Sequence, residues 1–350
     1  MDILKALPQV ETIVINQFSQ SSSEFGLLVS SLNQDKLGFN SQGIPRLQFV
    51  QDARAYGPWP RDQVLVDTDG RLIVSASKHH ELRETFLSLD ELNDISVQKS
   101  SMSFIGAQFL VAGNRLLCPE NMDIDSAIGH RSVRVPAPSL NDFHLDLLVM
   151  PLSENVIAVG DVEMTRHLLL KLDRSEQKKL IARWAVEFAV SAGNIDLKWE
   201  GNSFSYRKLN KPGLIQPQML EDKLAILSEL LQPGEFTKAV LSEPAFGWDD
   251  RIAETLKDEG FEVVRIPFWR GRYGRETGKK KHGLPMLCYP NCLVWNEGIL
   301  MPVYGIKHID QLSQNVLASA SGKSVFPVKG SAILGYGYSG PHCITIGFRK

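Results

Sequence analysis

Short apolar runs broken by tight-turn residues recur along the chain. Residues 63–74 hold two β-rich runs around Asp69-Gly70, a pair whose tolerance of positive φ suits a hairpin turn. Residues 109–117 repeat the form around Gly113-Asn114, residues 146–160 do so again, and residues 291–303 give a fourth hairpin around Asn296, Glu297 and Gly298. Apolar residues at three- and four-residue spacing predict helices over 175–192, 218–231, 248–259 and 309–320. Five hairpin-plus-helix modules of about 70 residues each would fill the chain, a size suited to small βαβ-type units rather than solenoid repeats. That count fits an α/β fold in the form of a pseudo-symmetric ring. The stretch near 161–233 reads as mostly helical and without a clear hairpin, either an insertion or a degenerate module.

Composition narrows the chemistry. The 350 residues are 43% apolar and 22% charged, enough to bury a large core. A net charge of -2 disfavours general attraction to nucleic acid and points to small molecules as partners, with an assembly of identical subunits left open. No basic-then-apolar leader and no uninterrupted apolar stretch of ~18 residues is present, so no membrane association and a cytoplasmic location are expected. Cys118, Cys288, Cys292 and Cys343 are too few and irregular for a disulfide framework and read as free thiols. Cys288 and Cys292 lack a second ligand pair for zinc and are better read as buried strand cysteines, while His79-His80 reads as a surface pair; neither a metal nor an organic cofactor is expected.

Three short elements flank the hairpins. They are Trp59-Pro60-Arg61-Asp62, His144-Leu145-Asp146, and Pro341-His342-Cys343-Ile344-Thr345 after the glycine-rich run 335–340. In this order they resemble the pentein superfamily of guanidino-modifying enzymes, which includes arginine, agmatine and peptidylarginine deiminases and amidinotransferases. The ending at 342–345 and the hairpin from Tyr289-Pro290-Asn291 to residue 305 are similar to deiminases, whereas residues 144–152 are more similar to amidinotransferases. The resemblance implies an α/β fold, a five-bladed, pseudo-symmetric α/β propeller forming one domain over residues 1–350, with Cys343 as nucleophile, His144 as acid and base, and Asp62 and Asp146 as carboxylates holding a guanidinium. Trp59, Arg61, Asn291 and Gly340 would complete the substrate site.

Those residue types suit the task on physical grounds. Two carboxylates can satisfy a planar, donor-rich guanidinium and orient its carbon. A thiol becomes a thiolate readily beside a cation, and one histidine can protonate the departing amine and then activate water. The expected activity is hydrolysis at a guanidino carbon through a covalent thiouronium intermediate. An amidinotransferase and a non-catalytic binding protein of the same fold are the alternatives, whereas a papain-like protease would place its cysteine before its histidine.

One departure bears on the substrate. Small-substrate deiminases carry Glu-Gly-Gly-Asn or Glu-Gly-Gly-Asp before the second hairpin, where this chain has Ile105-Gly106-Ala107-Gln108. A ureido or substituted guanidino substrate, or a substitute acid, would accommodate the loss. Residues 318–324 end like a phosphate loop but have Leu317 in place of the first glycine. The basic, glycine-rich stretch 271–281 reads as a mobile surface loop, or as a lid whose Arg270, Arg272 or Arg275 meets a substrate carboxylate.

Overall fold

Each of the four hairpins gains a third strand that runs parallel to its second. The computed structural model describes residues 12–16, 47–51, 64–67, 71–76, 96–101, 104–122, 131–136, 144–192, 195–200, 203–208, 217–243, 247–271, 274–276, 279–281, 283–329 and 341–342. Strands β1 (Thr12–Asn16) and β2 (Leu47–Gln51) pair in parallel. In the next sheet, β3 (Val64–Val66) pairs antiparallel with β4 (Leu72–Val74), and β4 pairs in parallel with β5 (Val97–Lys99). The third sheet repeats this with β6 (Leu110–Ala112), β7 (Arg115–Pro119) and β8 (Arg131–Val135).

The fourth sheet opens with β9 (Val149–Pro151) antiparallel to β10 (Val156–Asp161). Before the parallel partner of β10 arrives, the chain makes a long excursion. Helices α1 (Val162–Leu170) and α2 (Arg174–Ala192) come first, then β11 (Ile195–Glu200) and β12 (Ser203–Lys208). Helices α3 (Pro217–Leu230), α4 (Glu235–Ser242) and α5 (Trp248–Asp258) follow, and β13 (Glu262–Trp269) then pairs along β10. Strands β14 (Gly274–Glu276) and β15 (Lys279–Lys281) form a hairpin, after which β16 (Leu287–Cys288) joins the far edge of β13. The last sheet has β17 (Leu293–Val294), β18 (Gly298–Val303) and, after helix α6 (Lys307–Ser321), the parallel strand β19 (Ser324–Lys329). Among the described residues there are thus five parallel pairings, one per strand unit. First strands meet between units, β3 touching β6 and β6 touching β9.

Three expectations are corrected. The mostly helical middle contains a clear hairpin, β11–β12, closed where Glu200 pairs with Ser203. Its two intervening residues are Gly201-Asn202, a turn signal like those used elsewhere. Within the stretch read as a loop, 274–276 and 279–281 pair as a second hairpin. Cys292 is buried but lies in the turn before β17 rather than in a strand. Residues 318–321 end α6 and Gly322 caps it with φ 68°, so the phosphate-loop-like stretch is a helix terminus.

The core follows from the two-sided burial of β10, whose Ile157, Ala158 and Val159 have a sheet neighbour on each edge and helices beside them. They join Ile266, Phe268 and Trp269 of β13 and Trp184 and Phe188 of α2 in one apolar cluster, each large side chain contributing about 1.5–3 kcal/mol. Gly160 is required here, since a Cβ would lie 2.7 Å from Phe268 Cβ. The end of β10 is fixed by charge: Asp161 accepts from Met164 N at 2.7 Å to cap α1, and Arg265 pairs with Asp161 and Asp249, each at 3.2 Å. Burial raises the Asp249 carboxyl above its ordinary range, with the Val162 N–H and Arg265 opposing the rise. A smaller cluster of Leu65, Ile73, Phe104, Phe109, Leu116 and Cys118 joins the second and third sheets.

Candidate active site

The site grows from a turn that the sequence reading treated as the start of a strand. Leu147 N donates to His144 O at 3.2 Å and Leu148 N to Leu145 O at 3.0 Å. These bonds close a 3-10 turn over Leu145–Leu147, so His144-Asp146 precedes β9, whose pairing begins at Val149. Apolar Leu145 is buried, and Asp146 beside it is buried with it.

Burial of that carboxylate is offset by a specific partner. His342 Nδ1 donates to Asp146 Oδ2 at 2.8 Å, with the Asp146 side chain 0% exposed and that of His342 11%. Asn291, also fully buried, donates from Nδ2 to the Asp146 backbone oxygen at 2.9 Å. The backbone N–H of His342 donates to Asn291 O at 3.4 Å. Three segments far apart in sequence therefore meet around Asp146. Cys288 Sγ adds a bond to Leu147 O at 3.1 Å, tying the turn to β16.

A second polar group supports the Asn291 segment from below. Asp310, on α6, accepts from Tyr289 Oη at 2.6 Å and from the Tyr304 and Gly305 N–H groups, both at 2.9 Å. Tyr304 Oη in turn accepts from Cys288 N at 2.9 Å. Burial pushes the Asp310 carboxyl above its ordinary value, opposed by those three donors. The phenols of Tyr289 and Tyr304 are driven well up, first by burial, and stay protonated.

The structure brings together Asp146 and Asn291 and sets His144 at the start of the same turn. Cys343, Asp62, Trp59, Arg61, Gly340 and Arg272 lie outside the described residues. His342 stands beside Cys343 in the third sequence element, yet nothing in that element gives it a role. No local signal could have paired it with a carboxylate 196 residues away.

The described thiols are poor nucleophiles. Burial lifts the Cys118 thiol to about 11 and raises Cys288 and Cys292 well above their ordinary value. All three are free. Among the described residues no cluster of His, Cys, Asp and Glu could hold a metal ion, and no helix is long and apolar enough to cross a membrane.

The Porphyromonas-type peptidyl-arginine deiminase family matches residues 250–348. No curated protein is similar enough in sequence to count as a relative. Among solved structures, a C. jejuni agmatine deiminase is 14% identical, covering 99% of this chain and 86% of its own, with TM-score 0.54. Its Cys-to-Ser variant with substrate bound is 13% identical, with 97% and 83% covered and TM-score 0.54. A Porphyromonas gingivalis protein provisionally assigned as an arginine deiminase is 14% identical, with 98% and 87% covered and TM-score 0.55. The parallel-paired strand units and the likeness to these structures show that the chain has the pentein fold.

Proposed function

We propose that this chain is a cysteine-dependent hydrolase of a guanidino carbon, deiminase in type, acting on a small arginine- or agmatine-like compound. The reading is supported chiefly by the buried Asp146 carboxylate and its bond to His342, the residue immediately before Cys343. A buried carboxylate is costly unless a cation or donors compensate it, and a guanidinium supplies both. The likeness to agmatine deiminases, and the family match that includes Cys343, favour the same reading.

In this mechanism Asp146 and Asp62 hold the guanidinium, and the Cys343 thiolate attacks its central carbon to form a C–S bond. The tetrahedral centre expels one nitrogen as ammonia, protonated by His144. Water then gives a proton to His144 and adds to the amidino carbon. The C–S bond breaks, Cys343 leaves as thiolate, and a ureido product departs. The free thiols suit a reducing compartment, so we place the activity in the cytoplasm.

Product analysis in heavy-oxygen water, with a competing amine present, tests the proposal. Label in the ureido product, ammonia release and loss of both in Cys343→Ala are expected. Turnover only with the amine, and without label, would assign the chain to amidino transfer.

A further inference from the structure

The hydrogen bonds around Asp146 close on themselves. Asp146 and His342 join through side chains, His342 and Asn291 through the backbone, and Asn291 and Asp146 through an amide and a carbonyl, at 2.8, 3.4 and 2.9 Å. An aspartate on a one-turn 3-10 element has little of its own turn to fix its rotamer. A charge-assisted bond from a nearly buried imidazole does fix it. The same histidine carries the chain directly into Cys343. Asp146 is thereby bonded to the residue that immediately precedes Cys343 in the sequence.

We propose that His342 is the positioning residue of this site: its Nδ1–H sets the Asp146 carboxylate, and its backbone sets the approach to Cys343, so that cation and nucleophile are held in one register. This rests on reading Asp146 as the cation-holding acid and Cys343 as the nucleophile. The role requires a donor at the Nδ1 position and does not require an imidazole. Asparagine can place an amide N–H there, whereas glutamine extends its amide one bond farther, towards the Nε2 position. Near-attack geometry is sensitive to displacements of this size.

The test uses the full chain and alkylation of Cys343 by chloroacetamidine, a cation, against chloroacetamide, its neutral isostere. The ratio of the two rates is normalised to that for free cysteine. Wild type should favour the amidine by at least ~10-fold, His342→Asn should keep most of that preference, and His342→Gln should bring it to within about threefold of unity. Thermal melts establish that both variants are folded. A wild-type protein with no amidine preference overturns the cation-holding reading of Asp146, and this inference with it. A wild-type preference that survives in His342→Gln, or is lost equally in both variants, overturns the positioning role alone.

Discussion

Residues 105–109 and 144–148 form two turns with one backbone and different chemistry. In the first, Gln108 N donates to Ile105 O and Phe109 N to Gly106 O, each at 3.0 Å, matching the pair of bonds in the second. Each turn leads into the first strand of a hairpin, and the two turns touch. In register, Ile105 corresponds to His144 and Ala107 to Asp146. The first turn carries a bond within itself, Gln108 Oε1 accepting from Ile105 N at 3.3 Å. The second is tied to segments 141 to 196 residues away through Cys288, Asn291 and His342. A turn's shape is thus set by its own few residues, whereas its chemistry is set by what distant chain brings to it.

The most severe way to break the comparison is to neutralise the distinctive acid. Asp146→Asn should lower kcat/KM by at least ~10²-fold, on the order of 3 kcal/mol for breaking a buried charge pair. At the corresponding position, Ala107→Gly should cost about 0.5–1 kcal/mol of stability and leave kcat/KM within about threefold. Steady-state kinetics and urea melts on both variants measure this. Equal kinetic losses would mean that the two turns share one role.

This contrast also explains what the sequence made legible. Asp-Gly and Gly-Asn pairs between apolar runs located the hairpins, because a two-residue loop fixes register from local chemistry alone. The helix now seen at Lys307–Ser321 was read as 309–320 for the same kind of reason. The β11–β12 hairpin carries an equivalent signal at Gly201-Asn202, but the helical segments on either side of it hide the alternation of its strands. His144 and Asp146 were found as a motif, yet the turn that contains them was not, since a leucine-rich run looks the same in a strand and in a buried turn. His342 had no local signal at all: its role depends on a fold that returns the C-terminal segment to residue 146.

Making the first turn more like a deiminase turn should sharpen the difference. Ile105 stands where the resembling deiminases carry Glu, so Ile105→Glu adds a carboxylate one turn away from Asp146. The ratio of kcat/KM for a guanidino substrate over its ureido analogue should rise by at least ~10-fold, as expected for one added opposite charge near a cation. An unchanged ratio would show that the position does not meet the ligand. Removing the local bond instead, Gln108→Ala should cost about 1–3 kcal/mol of stability, because the Ile105 N–H loses its side-chain acceptor. Its kinetic constants should be unchanged, and a kinetic loss would give this turn a part in the chemistry.

The smallest effect concerns the remote support of the second turn. Asp310 holds Tyr289, Tyr304 and Gly305, the frame from which Asn291 reaches Asp146. Its carboxyl is raised above 3.8, chiefly by burial, so in the window just above that value the folded chain binds a proton that the unfolded chain has released. Stability from this group is therefore fully present below the unfolded value and is lost as pH rises through the folded one. Asp310→Asn fixes a neutral side chain there and should remove this slope, while weakening the fold at low pH because its amide nitrogen cannot accept from a backbone N–H. Urea melts of both proteins from about pH 4 to pH 8 should show the wild-type advantage shrinking as pH rises. A constant advantage across that range would mean that the donors to Asp310 outweigh its burial and that the carboxylate is charged in the folded state throughout.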